Sequence, residues 1–256
     1  MARAATWSPW HTSRTLRPTR SHQRSLLSML KGEPRTIASV PDDADGRATV
    51  ATLSKSLGLV RRITGNDGGS LGLHPAVYFY GPTGRHSGPM FMGTVALLGS
   101  KLANNDQTFF PKFTCVRSKL EDVLITHKDL IATILQRTAS AGRVARYTTM
   151  LGTAIERLLE AATITDKELV AFANLDGKIL VGTSAEAGKS FSDDVKSLVF
   201  IKSALTSAMR CPICQGYLDT EKSMSYDHIV RAREGGRGAA VNLQLTHPYC
   251  NQSVKA

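Results

Sequence analysis

Two short cysteine and histidine pairs constrain the C-terminal end of this chain more tightly than any run of hydrophobic residues. Cys211-Pro212-Ile213-Cys214 offers two sulfur ligands from one tight turn, and His247-Pro248-Tyr249-Cys250, 32 residues further on, offers an imidazole and a third sulfur. Thiolates and imidazole in a set of four close a tetrahedral zinc site of the structural kind. Such a site dictates topology, because the start of a 46-residue stretch must return to meet its end. A stretch that short buries little core of its own, so metal binding supplies folding energy that packing cannot. The competing reading is a chance collection of thiols.

Cys115 is the remaining cysteine; it falls in a helical pattern and is expected as a buried thiol. Four cysteines in 256 residues do not make a disulfide framework. The setting this predicts is reducing and cytoplasmic. No apolar run approaches the roughly 18 residues that a membrane span requires. Lys and Arg number 32 against 21 Asp and Glu, a formal charge of +11. That excess favours a polyanionic partner such as DNA, since each phosphate contact releases condensed counterions. A basic protein kept soluble by its charge accounts for it equally well.

Between Met1 and Pro41 the only acidic residue is Glu33, set against Arg3, Arg14, Arg17, Arg20, Arg24, Lys31 and Arg35. Residues 1–50 are therefore expected as a disordered basic tail, or as sequence upstream of the native start, with an organelle transit peptide as the alternative. Residues 51–88 alternate turn signals with short apolar runs, and 76–80 reads as a strand closed by Gly81-Pro82-Thr83-Gly84. From Pro89 the period turns helical. Phe91, Val95, Ala96 and Leu98 mark one helix, and Phe113, Val116, Leu120, Val123 and Leu124 a second. Others fit 130–136, 144–159, 166–172 and 193–209, with a looser stretch at Gly177, Gly182 and Gly188. Basic residues along these helices (Lys101, Lys112, Arg117, Lys119, Arg137, Arg143, Arg146 and Arg157) make either a solvated face or a duplex-binding one. A mainly helical unit over 51–208 and a small α+β module over 209–256 are predicted.

The module carries a further pattern: Asp227-His228-Ile229, then Gly235, Gly236 and Gly238, then Asn242-Leu243-Gln244-Leu245 and Thr246-His247-Pro248-Tyr249-Cys250-Asn251. Thirteen residues separate His228 from Asn242, and eight separate Asn242 from Asn251. This order resembles the HNH, or ββα-metal, endonucleases, although that family more often places Cys where His247 stands. The resemblance implies that His228 is the general base, since imidazole ordinarily titrates near neutrality. It implies that Asp227 and Asn251 hold one Mg²⁺ or Mn²⁺, and that Asn242 holds the loop and orients His228. Arg231, Arg233 and Arg237 would then clamp flanking phosphates or merely solvate the loop. In an ideal strand Asp227 and His228 point to opposite faces, so the strand must end or twist there for both to serve one phosphate.

Upstream, Ser70-Leu71-Gly72-Leu73-His74-Pro75 and Tyr78-Phe79-Tyr80, with the helices and the Leu245 to Asn251 ending, look like the C-terminal part of GmrSD-like restriction proteins. In those proteins a ParB-like domain with an Asp-Gly-Gln-Gln-Arg type motif comes first. That motif is absent here, so nucleotide hydrolysis is not implied, and a partner chain is one source of that domain. The reading that follows is a metal-dependent DNA endonuclease of restriction or defence type, with zinc as structural ion. Its rivals are a catalytically silent, zinc-containing nucleic-acid-binding module and a truncated remnant.

Overall fold

The computed structural model describes residues 43–179, 191 and 193–255. The expected tail over residues 1–42 and the glycines at 182 and 188 lie outside the described residues. Among the described residues, eight α-helices lead into one two-stranded sheet: α1 (Arg47–Ile63), α2 (Pro75–Tyr78), α3 (Gly88–Ala103), α4 (Phe109–Thr126), α5 (Lys128–Arg137), α6 (Arg143–Glu160), α7 (Asp166–Phe172) and α8 (Asp193–Thr206). The chain is thus mainly α with a small C-terminal α+β module, as predicted. Among the described residues no helix is long and apolar enough to cross a membrane.

The core forms around α6. Its residues Tyr147, Met150, Leu151, Ala154, Ile155 and Leu158 recur every three or four positions, so they fall on one face, and all are buried. That face packs against α3 and α4. Close approach to α3 depends on Gly93, where a Cβ would sit 2.6 Å from the Tyr147 ring. Each large aliphatic side chain withdrawn here contributes about 1.5–3 kcal/mol. A capping box fixes the start of α7, with the Thr165 hydroxyl and the Glu168 carboxylate each accepting from the other's backbone N–H.

Two segments differ from expectation. Residues 47–63 form α1, where a tail end and turns were predicted. Leu59 and Ile63 of α1 face inward, yet Val50, Leu53, Leu57 and Val60 are each at least half exposed. Those four exposed residues recur every three or four positions, so a helical period is present there, and the expectation of a tail end and turns missed it. The 76–80 run begins as the short helix α2 rather than a strand, and Tyr80 makes only an isolated bridge to His86. Pro75 at the first helical position favours that start. Lys128 then completes it, because its buried ammonium donates to the carbonyls of Ala76, Val77 and Tyr80 at 3.0, 3.0 and 2.8 Å.

Cys115 is exposed, against expectation. The inward face of α4 is filled by Phe113, Thr114, Val116, Arg117, Leu120 and Glu121, which leaves residue 115 on the solvent side of the turn. Strands β1 (Ser225–His228) and β2 (Leu243–Thr246) pair antiparallel, with Ser225 opposite Thr246 and His228 opposite Leu243. After His247 the chain turns helical at Pro248 and widens into a π-helical turn over Cys250–Val254.

Candidate metal centre and strand-end face

The four ligands come from two local turns. In the first, the Gln215 amide donates to the Cys211 carbonyl and the Cys211 amide to the Gly216 carbonyl, with Gln215 in the left-handed region at φ 58°. In the second, the helical turn opened by Pro248 sets His247 and Cys250 one turn apart. Cys211, Cys214, His247 and Cys250 are all buried, and their donor atoms lie within 4.8 Å of one another. The His247 Nδ1 is 3.3 Å from Cys214 Sγ and 3.9 Å from Cys250 Sγ. Those distances bracket the edge of about 3.5 Å that bonds of roughly 2.3 Å to sulfur and 2.0 Å to nitrogen impose on a tetrahedron.

His247 Nε2 lies 3.0 Å from the Tyr217 carbonyl oxygen, which can only accept, so Nε2 carries the proton and the Nδ1 lone pair faces the sulfurs. Hydrogen bonds from Cys214 and then Cys250 draw the Cys211 thiol well down, while the bond to Cys211 pushes Cys214 up to about 11 and Cys250 higher still. Burial lowers His247. Three converging sulfurs beside the Nδ1 lone pair of an imidazole make a set of four soft donors. This cluster can hold a metal ion.

A buried polar network ties the cluster to the helical body. Arg117 and Glu121, one turn apart on α4, form an ion pair at 2.8 Å with side chains 1% and 0% exposed. Arg117 also donates to the carbonyls of Leu71 and Gly72 at 2.5 and 2.9 Å. Glu121 accepts from the Tyr78 hydroxyl at 3.0 Å and from the Tyr217 amide at 2.7 Å. Tyr217 is the residue whose carbonyl orients His247. Arg117, expected on a solvated or duplex-binding face, is instead buried. The available signal was a charged pair, spaced i and i+4, inside the apolar stripe Phe113, Val116, Leu120, Leu124.

Other expected basic positions are also engaged. Lys101 pairs with Asp106, Lys112 with Glu156, and Arg157 with Glu168. Lys119, Arg143 and Arg146 donate to backbone carbonyls. Arg137 stays exposed.

At the sheet, Ser225 and Asp227 share the face turned toward the closing helical turn, and Tyr226 and His228 alternate to the other. The Asn251 side-chain amide donates to Ser225 Oγ at 2.8 Å and to the Tyr226 carbonyl at 3.2 Å. Asp227 is buried, and its Oδ2 accepts from Gln244 Nε2 and from Lys255 Nζ, both at 2.7 Å. His228 ends β1, half-buried. Asn242 is bonded to backbone at the two ends of the loop. It accepts from the Val230 amide and donates to the Val230 and Arg237 carbonyls, so its bonds go to the loop and not to the His228 ring.

The same loop requires Gly236, since a Cβ there would fall 1.8 Å from the Val230 carbonyl oxygen. Arg233 and Arg237 project into solvent, and Arg231 lies 3.9 Å from Glu234. Asp227 and Asn251 therefore lie on one side of β1, His228 at its end, and the arginines on the rim. Compared with protein families, curated proteins and solved structures, the chain finds no match.

Proposed function

We propose that this chain is a metal-dependent endonuclease that hydrolyses DNA phosphodiester bonds through an HNH-type ββα module. The observation that supports it most is the facing of β1 and the closing turn. Asp227 and Asn251 share one side, and His228 alternates to the other face as the last residue of the strand, so that the two sides meet at the strand end, inside a unit closed by a three-cysteine, one-histidine cluster. Three soft sulfur donors and an imidazole suit zinc in that cluster.

In this reading His228 takes the proton of the attacking water. Asp227 and Asn251 would hold Mg²⁺ or Mn²⁺ through hard oxygens, and the ion would supply a Lewis acid to the phosphate and its leaving oxygen. Asn242 keeps the loop folded behind them. Restriction or defence is the setting that the resemblance implies, with a ParB-like partner chain as one complement.

A second reading, a catalytically silent zinc module that only binds nucleic acid, draws support from Asp227 being paired with Lys255. Nicking of supercoiled plasmid with Mg²⁺, Mn²⁺ or EDTA separates the two. His228→Ala is expected to lower the cleavage rate by roughly 10² to 10⁴, the usual worth of a positioned base, with zinc content and DNA affinity kept. Zinc-loaded wild-type protein that binds DNA but never nicks it defeats the nuclease reading, as does a His228→Ala variant that cuts at full rate.

The rim is tested separately. Replacing Arg231, Arg233 and Arg237 together by Ala is expected to weaken DNA binding for all sequences and to reduce the salt slope by about one for each phosphate no longer neutralised. An unchanged slope assigns these arginines to loop solvation.

A further inference from the structure

The Asp227 carboxylate already has a cation. Lys255 places Nζ 2.7 Å from Asp227 Oδ2, donates to the His228 carbonyl oxygen, and lies 3.5 Å from that of Ile229. One carboxylate and two carbonyl oxygens thus converge on a single positive nitrogen, which is the donor chemistry a hard divalent ion seeks. The Lys255 and Asp227 side chains are 18% and 8% exposed, so this is not a surface pair that water and salt reduce to little.

The lysine is also held in place. Its amide donates to the Cys250 carbonyl at 3.0 Å, so the backbone that presents the ammonium is fixed to a residue of the metal cluster. From β2, Gln244 donates to the same carboxylate oxygen. An ammonium and a dication on that one oxygen would lie within about 4 Å of each other with like charge.

We propose that Lys255 is the resident counter-ion of this site, and that a divalent cation binds Asp227 only by displacing it. This rests on Asp227 being a cation ligand, as in the proposed function. Asp227 would then take a divalent ion weakly in the resting chain. A nucleic-acid phosphate arriving at the site offers the ammonium, on its four-carbon stem, another anion to pair with. Polyanion and divalent cation would bind with positive cooperativity.

The test is Mn²⁺ binding to the zinc-loaded full chain, read from the spin-resonance signal of free Mn²⁺. Lys255→Met is expected to bind Mn²⁺ at least about tenfold more tightly than wild type, since it removes a unit charge a few ångströms from the ion. Lys255→Gln, which keeps a hydrogen-bond donor without the charge, is expected to show the same gain. Adding Asp227→Asn to either should abolish it.

Equal affinities in wild type and both variants overturn the proposal, as does a gain that survives Asp227→Asn. If the variants lose zinc or helical signal, the unmodified chain still decides. The Lys255 ammonium resonance, protected while bonded to Asp227, should vanish on Mg²⁺ saturation, and its persistence overturns the proposal. A chain that never cuts DNA yet shows the Mn²⁺ gain keeps this inference and loses the nuclease reading. A chain that cuts without the gain loses this inference alone.

Discussion

Glu121→Ala is expected to destabilise the folded chain by about 3–5 kcal/mol, the usual cost of stranding one member of a buried ion pair. The change removes the partner of the Arg117 guanidinium and orphans the Tyr78 hydroxyl and the Tyr217 amide. Each buried donor left unpaired adds its own desolvation cost. Arg117 cannot escape to water, because its head is also bound to the Leu71 and Gly72 carbonyls and its stem packs against Gly216. Urea unfolding followed by far-UV circular dichroism measures the loss. Arg117→Met combined with Glu121→Leu is expected to recover part of it, since well-packed apolar substitutes remove both charges together. A single-variant loss under about 1 kcal/mol, by contrast, would mean that water enters the network freely.

Cys250→Ser should have the larger effect on the module. Structural zinc binding in small peptides is worth roughly 10–16 kcal/mol near neutral pH, and that energy is folding energy. The β1–β2 unit and its closing turn have only Cys211, Cys214, Leu218 and Cys250, with Ile213 and Leu245 against them, as a local apolar cluster. Without metal, residues 211–255 are expected to lose fixed structure, seen as loss of zinc by mass spectrometry and loss of dispersed amide signals. Helices α3, α4 and α6 share their own core and should stay folded, with a lower melting temperature because Glu121 loses its fixed Tyr217 amide. Cys211→Ser is expected to behave alike. Carefully purified wild-type protein without zinc would sink the assignment.

The parts of this architecture that the sequence exposes are those carried by short-range pattern. Helix α6 is legible because its six buried residues repeat with a single period, and the metal ligands because each pair lies within one turn. Helix α1 is the exception: Val50, Leu53, Leu57 and Val60 recur every three or four positions, so its period is present in the sequence, but that stripe is exposed and the buried contacts come from Leu59 and Ile63. Residues 76–80 mislead because aromatic and β-branched side chains suggest a strand. The deciding partner, Lys128, comes some fifty positions later. The same holds at the candidate site. Asp227 and His228 stand out as neighbours, but the ammonium on Asp227 arrives from 28 residues downstream and belongs to no motif. Arg117 shows the converse, a charge whose place in an apolar stripe is visible locally while its role depends on Tyr217.

Gly72 adopts φ 55°, and a Cβ there would stand 2.9 Å from the His247 ring and 3.2 Å from the Ser223 carbonyl oxygen. The segment between α1 and α2 is therefore moulded to the cluster, and the Ser70 carbonyl accepts the Tyr249 amide beside it. Ser223 in turn accepts from the Gly65 amide, and Asn66 from the Met224 amide. In packing terms, then, the module expected over 209–256 leans on residues that precede it. A gene fusion that moved only the last 48 residues would leave behind the strap against which His247 is seated. A transplant of this unit is expected to keep its seat only if the segment around residues 64–78 and the inward face of α4 go with it.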